Sequence, residues 1–334
     1  MRVAVVDTLG WAGRRLLRTL ALIVAVLLGS FLLLRLAPGD PALSMASAQG
    51  IDDPALVQSL RRQMGLDQPL PRQLAHYLHG LARLDLGYSY RNQSAVWPLI
   101  AERLPASLLL GLSALLASAL GGIALGALAA WSHQHGGRLD RLIRAAVLLL
   151  YALPAFWLGL LLVLLFSVRW ALLPAYGMES VGAGLDGWAR AADVARHLVL
   201  PCASLSFIFL AIYVQLTRAS MLEAYAQDYV RGARAKGAGP GRVLLRHVLR
   251  NALAPVATYT GLQLGQLASV GLLVEVVYAW PGIGRLMYES IEARDYPLLL
   301  GVFAVVSVLV LLGNLLGELG CWLLDPRLRG GARR

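Results

Sequence analysis

Charge is scarce in this chain: Asp, Glu, Lys and Arg make up 15% of its 334 residues, where soluble domains average about a quarter. Disorder is excluded as well, because 58% of the residues are apolar and a chain that apolar can offset its ordering entropy. Cysteine is almost absent, and Cys202 and Cys321 alone cannot build a disulfide framework. Lysine is rarer still: Lys236 stands alone among thirty basic residues, so the other 29 are arginine. No Gly-x-x-x-x-Gly-Lys-Ser/Thr run exists and Lys236 lies in a different setting, which excludes a phosphate-binding loop of that kind. The 34 glycines follow no strict period, which excludes collagen.

What is present is a series of long uncharged runs. Residues 104–137, 145–168, 198–217, 251–274 and 296–317 contain no Asp, Glu, Lys or Arg, and a sixth apolar run reaches from Leu16 to Leu36. A bilayer core about 30 Å thick is crossed by roughly 20 helical residues, so six spans are expected. Arg14, Arg15 and Arg18 before the first run also describe a signal peptide, with Ala46-Ser47-Ala48 as its small-x-small site. The apolar run exceeds the length of a signal core, and the site lies well beyond it, so an uncleaved helix is the reading taken.

A net charge of +11 and a pI near 10.2 would suit a nucleic-acid binder if the cations shared one soluble surface. Sorted by loop, they do not. With six spans, one side holds eighteen basic and six acidic residues, and the other holds twelve and thirteen. Positive-inside bias then puts both termini in the cytoplasm, and no nucleic-acid partner is needed. The boundaries expected are a cytoplasmic 1–15, a first span 16–36, an external loop 37–103, and a second span 104–131. A cytoplasmic loop 132–144, a third span 145–168, an external loop 169–197 and a fourth span 198–220 follow. A cytoplasmic loop 221–250, a fifth span 251–275, an external loop 276–297, a sixth span 298–324 and a cytoplasmic tail 325–334 complete the chain. Cys202 and Cys321 fall at opposite membrane faces, beyond disulfide reach.

Small residues recur every four positions at Gly261, Gly265 and Ser269, at Gly313, Gly317 and Cys321, and at Gly122 and Gly126. Lipid tails are as apolar as leucine, so such stripes are expected to be seams between helices of this chain rather than a subunit interface. Pro154 should kink the third span, marking either a transport path or plain packing. No charge lies near the middle of the later spans, and Glu275 and Glu318 sit near ends. This disfavours an ion- or proton-coupled secondary transporter, which places ionisable groups inside the membrane. It also disfavours a membrane enzyme, which needs convergent polar groups at that depth. His133 and His135 lack further ligands and read as solvated loop residues, so no metal site is expected. Glu292, Arg294 and Asp295 read as a solvated charge cluster.

The loop 221–250 holds six basic residues, and Arg218 lies just ahead of it. Glu223 to Lys236 has helical composition, Gly237-Ala238-Gly239-Pro240-Gly241 must break it, and a basic helix Arg242 to Leu253 follows. On physics alone, this is either a compact knob or a basic loop that sets topology and touches anionic lipid.

One segment runs Asp228-Tyr229-Val230-Arg231-Gly232-Ala233-Arg234-Ala235-Lys236-Gly237, and a second runs from Arg246 through Arg250 and Asn251 to Pro255. Together they resemble the cytoplasmic signature, or EAA motif, of ABC-transporter permeases. Arg231-Gly232-Ala233 stand where the general pattern has Glu-Ala-Ala. Pro38-Gly39-Asp40-Pro41, Gly65 to Leu70, Leu84 to Ser89, Trp280-Pro281-Gly282-Ile283-Gly284, Arg294 to Pro297 and Asp325-Pro326-Arg327 match in order. The chain is thus similar to the first-subunit branch of the dipeptide/oligopeptide/nickel permease family over nearly its whole length.

The resemblance implies an all-α membrane protein of the type I importer fold in a bacterial inner membrane. It would form half of a translocation path for peptides or a related small solute, or for nickel or a metal chelate. It implies a second homologous permease subunit, two ATPase subunits that bind ATP and Mg, and a periplasmic or lipoprotein substrate-binding protein. This chain itself would hold no cofactor, no metal and no catalytic residue. The coupling residues implied are Asp228, Tyr229, Arg231, Gly232, Ala233, Arg234, Ala235, Lys236, Gly237, Arg246, Arg250 and Asn251. The external loop 37–103 is either a platform for the binding protein or a structural cap.

Overall fold

In the computed structural model, residues 18, 21–36, 39–48, 53–266 and 271–324 are described. The expected N-terminal segment 1–15, Pro38, Ser269, the Cys321 side chain and the tail 325–334 lie outside this description. The chain divides into two compact units. One holds the residues up to Pro105 together with Arg285–Leu311; the other holds Ala106–Gly284 and the chain from Leu312 onward.

The first unit opens with α1 (Ala21–Leu36). The expected external loop is mostly helical: α2 (Pro41–Ala48), α3 (Pro54–Gln63) and α4 (Leu70–Ala82) precede a short hairpin, β1 (Tyr88–Ser89) with β2 (Ser94–Ala95). Its helix starts follow local chemistry. The Asp53 carboxylate accepts the Ala55 N–H at 2.9 Å with Pro54 at the first helical position, an N-cap in which the proline itself has no donor to satisfy. Ala42, Ala46 and Leu60 form a small core under Leu56, Val57 and Leu66, and Phe31 stacks on Tyr77 with ring centroids 5.8 Å apart. The unit also contains the start of α5 (Val96–His133), most of α13 (Ile283–Glu292) and the first part of α14 (Tyr296–Leu324).

The second unit takes the rest of α5, then α6 (Arg138–Ala152) and α7 (Ala155–Leu162), which widens into a π-helical stretch, Val163–Arg169. Next come α8 (Gly187–Tyr225), α9 (Asp228–Ala235), the short α10 (Pro240–Arg242), a second π-helical stretch Val243–Leu249, α11 (Arg250–Leu264) and α12 (Leu272–Val277). The kink expected at Pro154 is a full break. Leu153 is extended, with ψ 135°, as the residue before a proline prefers, and the chain bends by 104° between the two limbs. The limb begins at Arg138, ahead of the expected 145, because Asp140, Ile143 and Val147 share one buried face and give the charged end a reason to stay helical.

By length and apolarity, Val96–His133, Gly187–Tyr225 and Tyr296–Gly317 are each long enough to cross a membrane, and the bent pair makes a fourth. The first and fifth expected spans are shorter among the described residues: Ala21–Leu36, and Arg250–Leu264 followed by Leu272–Val277. Within the second unit, glycine seams join α5 to α8 and α11 to α14. A Cβ on Gly317 would lie 1.9 Å from the Gly261 carbonyl oxygen, and one on Gly313 2.6 Å from that of Leu264. A Cβ on Gly122 would meet the Tyr213 Cβ at 2.2 Å, and one on Gly126 the Thr217 Cβ at 2.7 Å. The stripes are therefore seams within the chain, and only a hydrogen at those positions lets the backbones approach this closely.

Candidate functional site

The helix expected over 223–236 is two helices. α8 stops at Tyr225, Gln227 is extended (ψ 148°), and α9 starts afresh at Asp228. Tertiary burial overrides propensity here. The turn lets Val230 fold back, fully buried, into a cluster with Met221, Ala224, Val243, Val248, Ala252 and Ala130. Around that anchor α9 faces solvent. Asp228, Tyr229, Arg231, Gly232, Arg234, Ala235 and Lys236 are exposed, and Ala233 is half-buried.

The stop of α9 is explicit. The Gly237 N–H donates to the Arg234 carbonyl at 2.9 Å and the Ala238 N–H to the Ala233 carbonyl at 3.1 Å. These are the two bonds of a Schellman motif, and Gly237 holds the left-handed position with φ +79°. The chain then runs through α10 and the π-helical turn into α11. The basic helix expected from Arg242 to Leu253 is thus part of a continuous helical run, π-helical over Val243–Leu249, carrying exposed Arg246 and Arg250. The Asn251 amide donates to the His247 carbonyl at 2.9 Å.

Electrostatically the knob is cationic. Asp228 and Arg231 pair at 3.0 Å but are 92% and 75% exposed, a contact worth little in water. The Arg234 guanidinium lies 5.8 Å from the Tyr225 ring. Arg231, Arg234, Lys236 and Arg242 therefore present nearly unneutralised charge on a rigid, anchored surface.

The external motifs are architectural in both units. In the first, the Asp40 carboxylate accepts the Ala42 N–H at 3.0 Å, starting α2 behind Pro41, and binds Arg61. The Arg294 guanidinium lies where a Gly39 side chain would be. The charges near Arg294 are not all solvated as expected. Glu292 is exposed and accepts the Tyr288 hydroxyl at 2.8 Å, but Asp295 is buried. Asp295 accepts the Ser89 hydroxyl, and burial pushes its carboxyl above the ordinary range.

In the second unit Trp280 is fully buried, donating its indole N–H to the Ala106 carbonyl at 2.9 Å. Pro281 and Gly282 follow, and side chains at Gly282 or Gly284 would collide with the Glu275 carboxylate. Glu275 is thus no marginal helix-end charge. It is buried and accepts the Ser107 hydroxyl at 2.6 Å, while the Ser107 oxygen accepts the Ile283 N–H at 2.7 Å. Sequence reasoning missed this pair because Ser107 and Glu275 are 168 residues apart.

It also missed Asp140, assigned to a loop yet buried against Arg218 at 2.6 Å. His133 is not simply solvated, since its Nδ1 lies 3.3 Å from Asp140; His135 packs on Trp131, ring centroids 4.7 Å apart. Among the described residues no group of three His, Cys, Asp or Glu could hold a metal ion.

Long apolar helices joined by glycine seams and a broken helix pair define a multi-pass membrane protein, with an anchored cationic knob on it. Residues 122–330 match the family described as the binding-protein-dependent transport system inner membrane component, and residues 9–111 match that system's N-terminal membrane component. The chain belongs to this family and is an inner-membrane permease component rather than a catalytic subunit.

It is 36% identical over 335 residues to the dipeptide transport system permease protein DppB of Escherichia coli K12, covering 94% of this chain and 98% of the relative. It is 37% identical over 316 residues to a probable peptide ABC transporter permease protein, y4tP, of Sinorhizobium fredii, covering 95% and 98%. A third relative, the glutathione transport system permease protein GsiC of Escherichia coli O6:H1, is 35% identical over 322 residues, covering 96% and 99%. None of these three is named an ion-coupled carrier.

Proposed function

We propose that this chain forms half of the translocation path of an ATP-driven importer of short peptides, and that α9 docks on an ATPase subunit. The three relatives carry names for dipeptide, peptide and glutathione transport, and all three describe a short chain of amide-linked residues. Nickel or a metal chelate is the alternative cargo within the same family.

The observation that carries the docking assignment is the knob itself. It is a short helix anchored by one buried valine, closed by a Schellman stop at Gly237 and continuous through Arg246 and Arg250 with α11. Force applied at α9 has a packed route into the expected fifth span. Energy enters from outside the membrane, which fits the lack of charge at mid-span; ATP and Mg would be held by the partner subunits. A second homologous permease subunit completes the path, a periplasmic or lipoprotein binding protein delivers cargo on the outer side, and lipid surrounds the spans. Both termini and the loops 132–144 and 221–250 face the cytoplasm in a six-span arrangement, supported by the +12 against −1 partition of charge.

The test is copurification. Tagged chain extracted in mild detergent should bring an ATPase subunit with it, and reversing Arg231 and Arg234 to Glu should release that subunit. Wild-type chain that is reproducibly alone would refute the docking assignment.

A further inference from the structure

We propose that Asp140 and Arg218 are positioning residues of the coupling apparatus, an ionic brace on a buried carboxylate that makes α6 move with the end of α8 that carries the knob. The proposal rests on α9 being the docking element.

Asp140 is 1% exposed. Its Oδ1 accepts from Arg218 Nε at 2.6 Å and its Oδ2 from Arg218 Nη2 at 2.8 Å, a two-pronged pairing. Arg144 Nε lies 3.3 Å from Oδ1 and His133 Nδ1 lies 3.3 Å from Oδ2. The Asp140 N–H donates to the buried Ser132 hydroxyl at 3.2 Å. Three places in the chain are thus tied to one carboxylate: the end of α5, the start of α6 and the last turns of α8.

Placement gives this network its meaning. Arg218 precedes Met221 and Ala224 on α8, and those two residues pack directly on Val230 of α9. Without the ion pair, α6 meets α8 through apolar contacts, Ile143 and Val147 against Ala211 and Val214. Apolar contacts are non-directional and allow sliding. A planar guanidinium held at two points fixes orientation as well as distance. Buried ion pairs are weak stabilisers compared with apolar replacements, so a bidentate pair in this position is explained better by geometry than by stability. Asp140 thereby couples the knob to the first limb of the broken span, while the lever through Arg250 serves the fifth.

The test uses the complete transporter in proteoliposomes. Cys202 and Cys321 are replaced, and spin labels are placed at Glu223 on α8 and Leu142 on α6, both exposed. The expected wild-type result is one narrow distance distribution that does not shift between the ATP-free and vanadate-trapped states. In Asp140→Asn and Arg218→Lys it should broaden and shift on trapping, with dipeptide imported per ATP hydrolysed falling about fivefold or more, the low end of typical coupling between sites. Arg218→Lys keeps the charge and loses the fork, so it serves if Asp140→Asn does not fold. A purely structural role would lower uptake and ATP hydrolysis together, leave their ratio intact and overturn the brace, as would a wild-type distance that changes on trapping. ATPase subunits should stay bound in both variants; their absence from wild type would instead sink the docking assignment.

Discussion

Replacing Gly237 separates a conformational requirement from a steric one. Its φ of +79° lies in the left-handed region, and an added Cβ would meet nothing within 4 Å. The cost of Gly237→Ala is therefore backbone strain alone, about 1–2 kcal/mol for an L-residue held there. Since ~1.4 kcal/mol is a factor of ten in an equilibrium, the equilibrium constant for closing the Schellman stop should fall by roughly that factor. Gly237→Asn should cost least, because asparagine tolerates this region, and Gly237→Val should cost most. Gly239→Ala is the matched control: φ there is an ordinary −63°, and an added Cβ again meets nothing. The assay is dipeptide uptake per ATP hydrolysed by the reconstituted transporter, with membrane insertion checked by the amount of chain recovered. Uptake should fall in the order Asn, Ala, Val, while Gly239→Ala matches wild type. Equal transport by all four variants would refute the assignment of Gly237 as the required stop, and loss in the Gly239 control would show that the segment senses bulk rather than φ.

Gly317→Leu should destabilise the second unit by more than the usual 1–3 kcal/mol of overpacking, since backbone stands where its Cβ would go. Gly320→Ala, which meets nothing, should melt as wild type does in detergent. Asp295→Asn should change the pH dependence of unfolding of the first unit. The native carboxyl titrates above its ordinary range, so the stability that this group contributes is fully present below that range and is lost as pH rises through the raised value; the variant should lack this fall. Cysteine labelling in a background without Cys202 and Cys321 should report Arg231 and Arg327 inside and Asp67 and Glu289 outside, and a reversed pattern would discard the topology.

The seams were legible in sequence because glycine four residues apart is a local signal with one physical use, close backbone approach. The knob was partly legible. Gly237 announced a stop, but nothing in 223–236 announced the break at Gln227, since helix-forming residues continue through it and only the burial of Val230 calls for a turn. Asp140, Glu275 and Asp295 were misread for one shared reason. A charge in or beside a loop is solvated by default, and the partners that overturn the default (Arg218, Ser107 and Ser89) are 78, 168 and 206 residues away. The hydropathy pattern also could not see that Pro154 turns the chain through 104°, because a proline reports a lost hydrogen bond and not the angle that packing then selects.

The sequence alone determined the class: long uncharged runs need a bilayer, and ordered motifs name the family. Those properties are sums over local stretches, and they survive any arrangement of the helices. Tertiary structure decided which charges are buried, where the knob is anchored and which helices are tied to it. The buried charges are met by residues far apart in the chain, and the knob is anchored by a fold-back of Val230 onto Met221, Ala224 and Val243 that burial selects against the local propensity for helix.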